Sequence, residues 1–78
     1  MNENEITVRF TKDEALVLFE FLARFNKEDR RELFEDQAEQ KTLWIIEGQL
    51  KKVLAEPFDP DYLNIIKDAR DRIRDEEN

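Results

Sequence analysis

The sequence predicts a mainly α-helical fold: a short N-terminal strand followed by a three-helix bundle, with the strand paired across a homodimer. Three observations lead there. Apolar residues recur at steps of three and four over three long stretches, each preceded by a side chain suited to cap a helix. The first of these stretches carries very little polar surface. The one segment with a period of two, at the N-terminus, has no second strand in the chain to pair with.

Residues 5–10 alternate, with Ile6, Val8 and Phe10 on one side and Thr7 and Arg9 on the other. That is the period of a half-buried strand. Thr11-Lys12-Asp13-Glu14 then reads as a capping box, in which Thr11 accepts from the Glu14 amide and Glu14 reaches back to the Thr11 amide. A helix is expected over 12–26. Its polar positions, Asp13, Glu20, Arg24 and Lys27, form a narrow strip, and the residues between them are almost all apolar. A surface helix normally shows the opposite proportions. This one needs cover on more sides than two neighbouring helices are expected to supply.

Residues 27–35 are mostly charged and are expected to form a loop with room for one helical turn. Asp36 offers an N-cap and Glu39 completes a second capping box, so a helix is expected over 37–54. Leu43, Ile46, Leu50, Val53 and Leu54 make its apolar face, which Trp44 and Ile45 widen. Gly48 inside it costs about 1 kcal/mol relative to Ala, and either close helix packing or tolerated exposure accounts for it. Glu56-Pro57-Phe58-Asp59-Pro60 breaks the chain. Asp59 is the expected cap of a third helix over 60–74, with Pro60 as its first residue and a hydrophobic staple from Phe58 to Leu63. Tyr62, Ile66, Ala69 and Ile73 share its inner face, and Lys67 with Asp71 and Asp68 with Arg72 are weak i,i+4 pairs outside. Residues 75–78 are expected to fray.

A lone strand is a problem, because unpaired edge amides do not make a stable sheet. Antiparallel pairing across a two-fold axis satisfies both copies at once. It would also cover the apolar excess of the first helix. Self-association is therefore assigned to Ile6, Val8 and Phe10 together with Leu18, Phe21 and Phe25.

The chain has 78 residues and is read as a single domain, 1–78, small enough that folding buries only about 60 % of its surface. It contains no His, Cys or Ser. Disulfides and a zinc site are therefore excluded as supports, which raises the need for a partner. The same absence removes the side chains that most catalysis uses, so no enzyme, no cofactor and no metal site is expected. Carboxylates are abundant, but they occupy caps and helix surfaces, and no pair is marked for acid–base work. Asp59-Pro60-Asp61 is explained by capping and the helix dipole, and no calcium-loop spacing is present.

The N-terminus lacks the features of a signal peptide, and the longest apolar run, residues 15–19, is far short of the roughly 20 residues of a membrane span. A cytoplasmic protein is expected. The net charge of −7 opposes binding to nucleic acid or to an anionic membrane and favours a basic protein partner. It also suffices to keep a small protein soluble. The densest acid surrounds Leu33 and Phe34, opposed only by Arg30 and Arg31. Glu28, Asp29, Glu32, Phe34, Glu35 and Asp36 are the candidate docking residues for a protein partner, since charge steers encounter and an apolar anchor supplies affinity. The alternative is that Phe34 plugs the core beneath a solvated acidic face. Trp44 is equally open to two roles, interface anchor or core residue.

The runs Asp13-Glu14-Ala15-Leu16-Val17-Leu18-Phe19-Glu20, Ala38-Glu39-Gln40 with Leu43-Trp44, and Pro57-Phe58-Asp59-Pro60-Asp61-Tyr62 cover most of the chain. In them the sequence resembles a group of short uncharacterised bacterial proteins with no assigned activity. That resemblance implies a bacterial cytoplasmic protein and transfers no functional residue. The leading functional expectation is a small acidic interaction module of the immunity or antitoxin kind, which plugs a basic partner. The alternative is a self-associating structural or regulatory homodimer. An acidic mimic of DNA is a lesser one, because the carboxylates are interleaved with 13 basic residues.

Overall fold

The computed structural model describes residues 4–76. Helices α1 (Lys12–Phe25), α2 (Gln37–Val53) and α3 (Tyr62–Arg74) are joined by loops that each hold one 3-10 turn, Arg31–Leu33 and Glu56–Phe58. The arrangement is mainly α and three-helical, as the periodicity predicts.

Local chemistry sets where each helix begins. Thr11 is in extended conformation and its Oγ1 accepts from the Glu14 amide at 3.1 Å, while Glu14 Oε1 accepts from the Thr11 amide at 2.8 Å. The capping box is complete. At α2, Asp36 Oδ1 accepts from the Ala38 amide at 2.7 Å, but Glu39 reaches past the cap to the Glu35 amide at 2.8 Å. The second box is thus opened by one residue, with the same number of amide donors satisfied. At α3, Asp59 Oδ1 accepts from the Asp61 amide at 2.7 Å and its carbonyl accepts from Tyr62 at 3.0 Å. Asp59 therefore holds the turn that leads into α3 and is not its cap: the helix starts at Tyr62, with Asp61 at the N-cap position and no side chain bonded there, so the expected cap at Asp59 and first residue at Pro60 are both displaced by two positions. Phe58 and Leu63 are both exposed, so the staple expected between them buries little.

Among the described residues the core has eight buried side chains, and half of them, Ala15, Leu16, Phe19 and Leu22, come from α1. Leu50 of α2, Leu54 just after its end, and Ile66 and Ala69 of α3 supply the rest. Helices α2 and α3 each pack on α1 and hardly on one another. That explains the reversed proportions of α1: its apolar surface faces two neighbours on different sides, so most of the cover it needs comes from within the chain. Val53 does not join the apolar face of α2 but is exposed, as are Trp44 and Ile45.

Polar contacts fix the directions. Arg72 Nε and Nη2 donate to the two carboxylate oxygens of Asp13 at 2.8 and 2.9 Å, and Tyr62 Oη donates to Glu20 Oε1 at 2.9 Å, so α1 and α3 run antiparallel. Lys12 Nζ reaches Glu56 Oε2 at 2.7 Å, and Asn26 Nδ2 donates to Glu47 Oε1 at 2.7 Å, which sets α2 antiparallel to α1 as well. Partial burial, and next the bond to Glu20, push the Tyr62 phenol well above its ordinary value. Lys67 pairs with Asp71 as expected, but Arg72 takes Asp13 in place of Asp68. A bidentate pair across two helices outcompetes a flexible pair along one.

No strand forms among the described residues. Residues 5–10 precede α1 as an arm without a ladder, and Ile6 and Val8 stand 89 % and 67 % exposed. Within one chain, the expected strand has nothing to pair with.

Candidate interaction surfaces

Three surfaces carry side chains that the fold leaves unused. The first is a cleft of about 700 Å³ where α1 passes into α2. Glu28, Asp29, Phe34, Glu35 and Asp36 line it, and of the docking residues expected there only Glu32 stands outside. Phe34 is half-buried at 6.2 Å, edge-on, from Phe25, whose ring stacks on Phe21 at 5.5 Å. It therefore caps an aromatic row and also shows a face to the cleft.

The acid of this cleft is less free than its density in the sequence suggests. Arg30 bonds Glu28 at 3.3 Å and Glu32 at 3.1 Å, and Arg31 grips both oxygens of Asp29 at 2.9 and 3.2 Å. Hydrogen bonds from Glu32 and then Glu28 raise Arg30 above its ordinary value. Glu32 is lowered by its own backbone amide and by Arg30. Asp36 and Glu39 are engaged as caps, which leaves Glu35 as the carboxylate of this cluster with no bond or ion pair among the described residues. All these pairs are solvent-exposed and so contribute little to stability.

The second surface is the arm with the side of α1. The arm presents Ile6, Val8 and Phe10, the last 48 % exposed. Between α1 and α3 lies a groove of about 410 Å³ whose floor includes Val17, Leu18, Phe21 and Ile73 and whose rim holds Glu14, Arg24 and Arg70. Of the α1 residues expected to self-associate, Leu18 and Phe21 line this groove. Phe25 does not, being held between Phe21 and Phe34. Arg24 lies over the Phe21 ring at 5.5 Å and partly covers it.

The third surface is the outer side of α2, where Trp44 and Ile45 are 48 % and 59 % exposed. The expectation that they widen the core face is corrected here. At about 100° per residue, Leu43, Leu50 and Leu54 cluster on one side of the helix, whereas Trp44 and Ile45 fall roughly 100° and 160° away from that line. The signal was available in Lys41, Lys51 and Lys52, which share the outer side with them.

The exposed area as a whole is large. A globular monomer of 9.5 kDa is expected to expose about 5,000 Å². This chain exposes 6747 Å², and its radius of gyration of 14.3 Å exceeds the ~11.5 Å of a compact domain of its length. Among the described residues no cluster of three or more acidic side chains is placed to hold a metal ion, and no helix is long and apolar enough to cross a membrane. Comparison with protein-family models, with curated proteins and with solved structures finds no match for the chain.

Proposed function

We propose that this chain is a protein-interaction module, not a catalyst, and that its working form is a homodimer joined through the N-terminal arm. One observation carries the reading. Ile6, Val8 and Phe10 of the arm stand 89 %, 67 % and 48 % exposed, and residues 5–10 meet no ladder among the described residues. These apolar side chains alternate as a strand with one dry side requires.

Antiparallel pairing of residues 6–10 about a two-fold axis through Val8 sets Val8 opposite its own copy and Ile6 opposite the partner's Phe10. Aromatic and β-branched residues make favourable cross-strand pairs. The pairing also meets the amides that the arm leaves without a ladder. Because the sequence contains no cysteine, Val8→Cys tests this register cleanly. The variant should form a disulfide-linked dimer on mild oxidation, since directly opposite Cβ atoms come within about 4.5–5.5 Å. A variant that stays unlinked at concentrations where the parent dimerises refutes the register. A parent that never dimerises refutes the reading.

A second reading, docking of a basic protein in the manner of an immunity protein or antitoxin, is favoured by the first cleft. It pairs the unengaged Glu35 with the open face of Phe34. Binding of that kind would weaken with added salt and with Glu35→Lys in a pull-down. Glu35 is the better probe than Asp36, whose carboxylate is needed as a cap.

A further inference from the structure

The outer side of α2 gathers three lysines with no carboxylate among them. At about 3.6 residues per turn, Lys41, Trp44, Ile45, Gly48, Lys51 and Lys52 fall in one stripe a third of the circumference wide. All six are exposed. Helix α2 contains only two carboxylates, and both are drawn off this stripe: Glu47 accepts from Asn26 at 2.7 Å, and Glu39 accepts from the Glu35 amide at 2.8 Å. The three lysines make no ion pair among the described residues, and neither do Arg9, Arg24, Lys27 and Arg70; what sets the three apart is that they lie together on one helix side. On a chain of net charge −7, the stripe is a basic surface with an aromatic centre.

We propose that this stripe docks an acidic amphipathic helix of a protein partner. An apolar side chain of that helix sits on Trp44 and Ile45, and carboxylates on its flanks meet Lys41 at one end and Lys51 and Lys52 at the other, about 16 Å along the axis. Trp is the residue type that most often anchors an interface, and a charged rim around it fixes register. Beyond its own helix backbone and chain neighbours, a Cβ at Gly48 would meet nothing within 4 Å, so the helix surface is open to close approach there. A second copy is the poorer occupant, because two such stripes bring six ammonium groups together with no carboxylate between them. A nucleic acid is poorer too, since three lysines give few phosphate contacts and the net charge repels a polyanion. The surface is separate from the arm, so this proposal and the homodimer stand or fall independently.

Trp44 is the chain's one tryptophan, and its fluorescence reports on the stripe directly. The full chain is titrated with an amphipathic Glu/Leu peptide of about 18 residues, long enough to hold a helix. Matched titrations use a Lys/Leu peptide of the same pattern and a single-stranded DNA oligonucleotide. The expected result is a saturable blue shift with the Glu/Leu peptide that weakens as salt shortens the Debye length below ~10 Å. Lys41→Glu with Lys52→Glu should weaken it at least about tenfold, a loss of ~1.4 kcal/mol. Both lysines are exposed, and circular dichroism verifies that the variant keeps its helices. An equal shift with the Lys/Leu peptide, tighter binding of the oligonucleotide, or no response to the Glu/Leu peptide overturns the proposal. So does a blue shift that grows with protein concentration in the absence of peptide, which would put a second copy on the stripe.

Discussion

Replacing Ile6, Val8 and Phe10 together by threonine should abolish self-association while leaving the three-helix body intact. Threonine keeps the preference for extended backbone and removes the apolar surface, so the substitution separates side-chain burial from backbone pairing. The three side chains are 89 %, 67 % and 48 % exposed in the single chain. Full burial of such a side chain contributes about 1.5–3 kcal/mol, so covering what remains exposed contributes roughly 3–6 kcal/mol per arm and twice that in a two-fold dimer. Association itself costs an estimated 4–15 kcal/mol, so the arms decide whether a dimer forms at all. Losing half of the contribution of both arms weakens a micromolar dimer by at least about a hundredfold. Sedimentation velocity of parent and variant from ~1 to ~200 μM spans that range. The reasoning is refuted if the parent is a strict monomer throughout, or if the variant dimerises as the parent does. None of the three residues belongs to the core, so the variant's helical content should match that of the parent monomer.

Three further outcomes test the body of the molecule. Leu16, 2 % exposed at the centre of the core, should lose about 2–5 kcal/mol on Leu16→Ala, comparable to the ~3–5 kcal/mol that so small a core supplies. Urea unfolding should find the variant largely unfolded at 25 °C, and a loss below ~1 kcal/mol would contradict the central place of α1. Gly48→Ala should raise the unfolding midpoint, with a gain of about 1 kcal/mol from helix propensity and no clash to offset it. A destabilised variant would mean that something packs closely there. Asp13 is held below its ordinary 3.8 by the hydrogen bonds from Arg72. Its contribution is therefore whole above the unfolded value and is lost as pH falls through the lower folded one. Acid titration of the melting temperature should show a shallower fall for Asp13→Asn than for the parent, and parallel curves would remove the pair from the acid limb.

The elements most legible in the sequence are those settled within a few residues. The Thr11 and Glu14 box, the Asp36 cap and the Ile66 and Ala69 face were all readable, because capping and periodicity act over one or two turns; the start of α3 was read two residues early, because the turn that Asp59 holds precedes the helix. The candidate surfaces were readable only in part. Glu28, Asp29, Phe34, Glu35 and Asp36 do converge on one cleft, but composition alone could not reveal that Arg30 and Arg31 occupy its acids. The pairing of Arg72 with Asp13 links residues 59 apart, and nothing near either one announces the other. Trp44 and Ile45 were placed with their apolar neighbours, when the lysines on the same side of the helix marked them as outward.

Taken by itself, the sequence determined that three helices form, where the first two start, and that an apolar arm precedes them with no strand of its own chain to join. Those properties follow from backbone sterics, caps and the order of apolar residues along the chain. Only the tertiary structure decided that α1 is the central helix, that α2 and α3 leave each other nearly untouched, and that a basic aromatic side of α2 is left facing water. Each helix has more apolar surface than one neighbour can cover. Which part stays bare depends on how all three are placed at once.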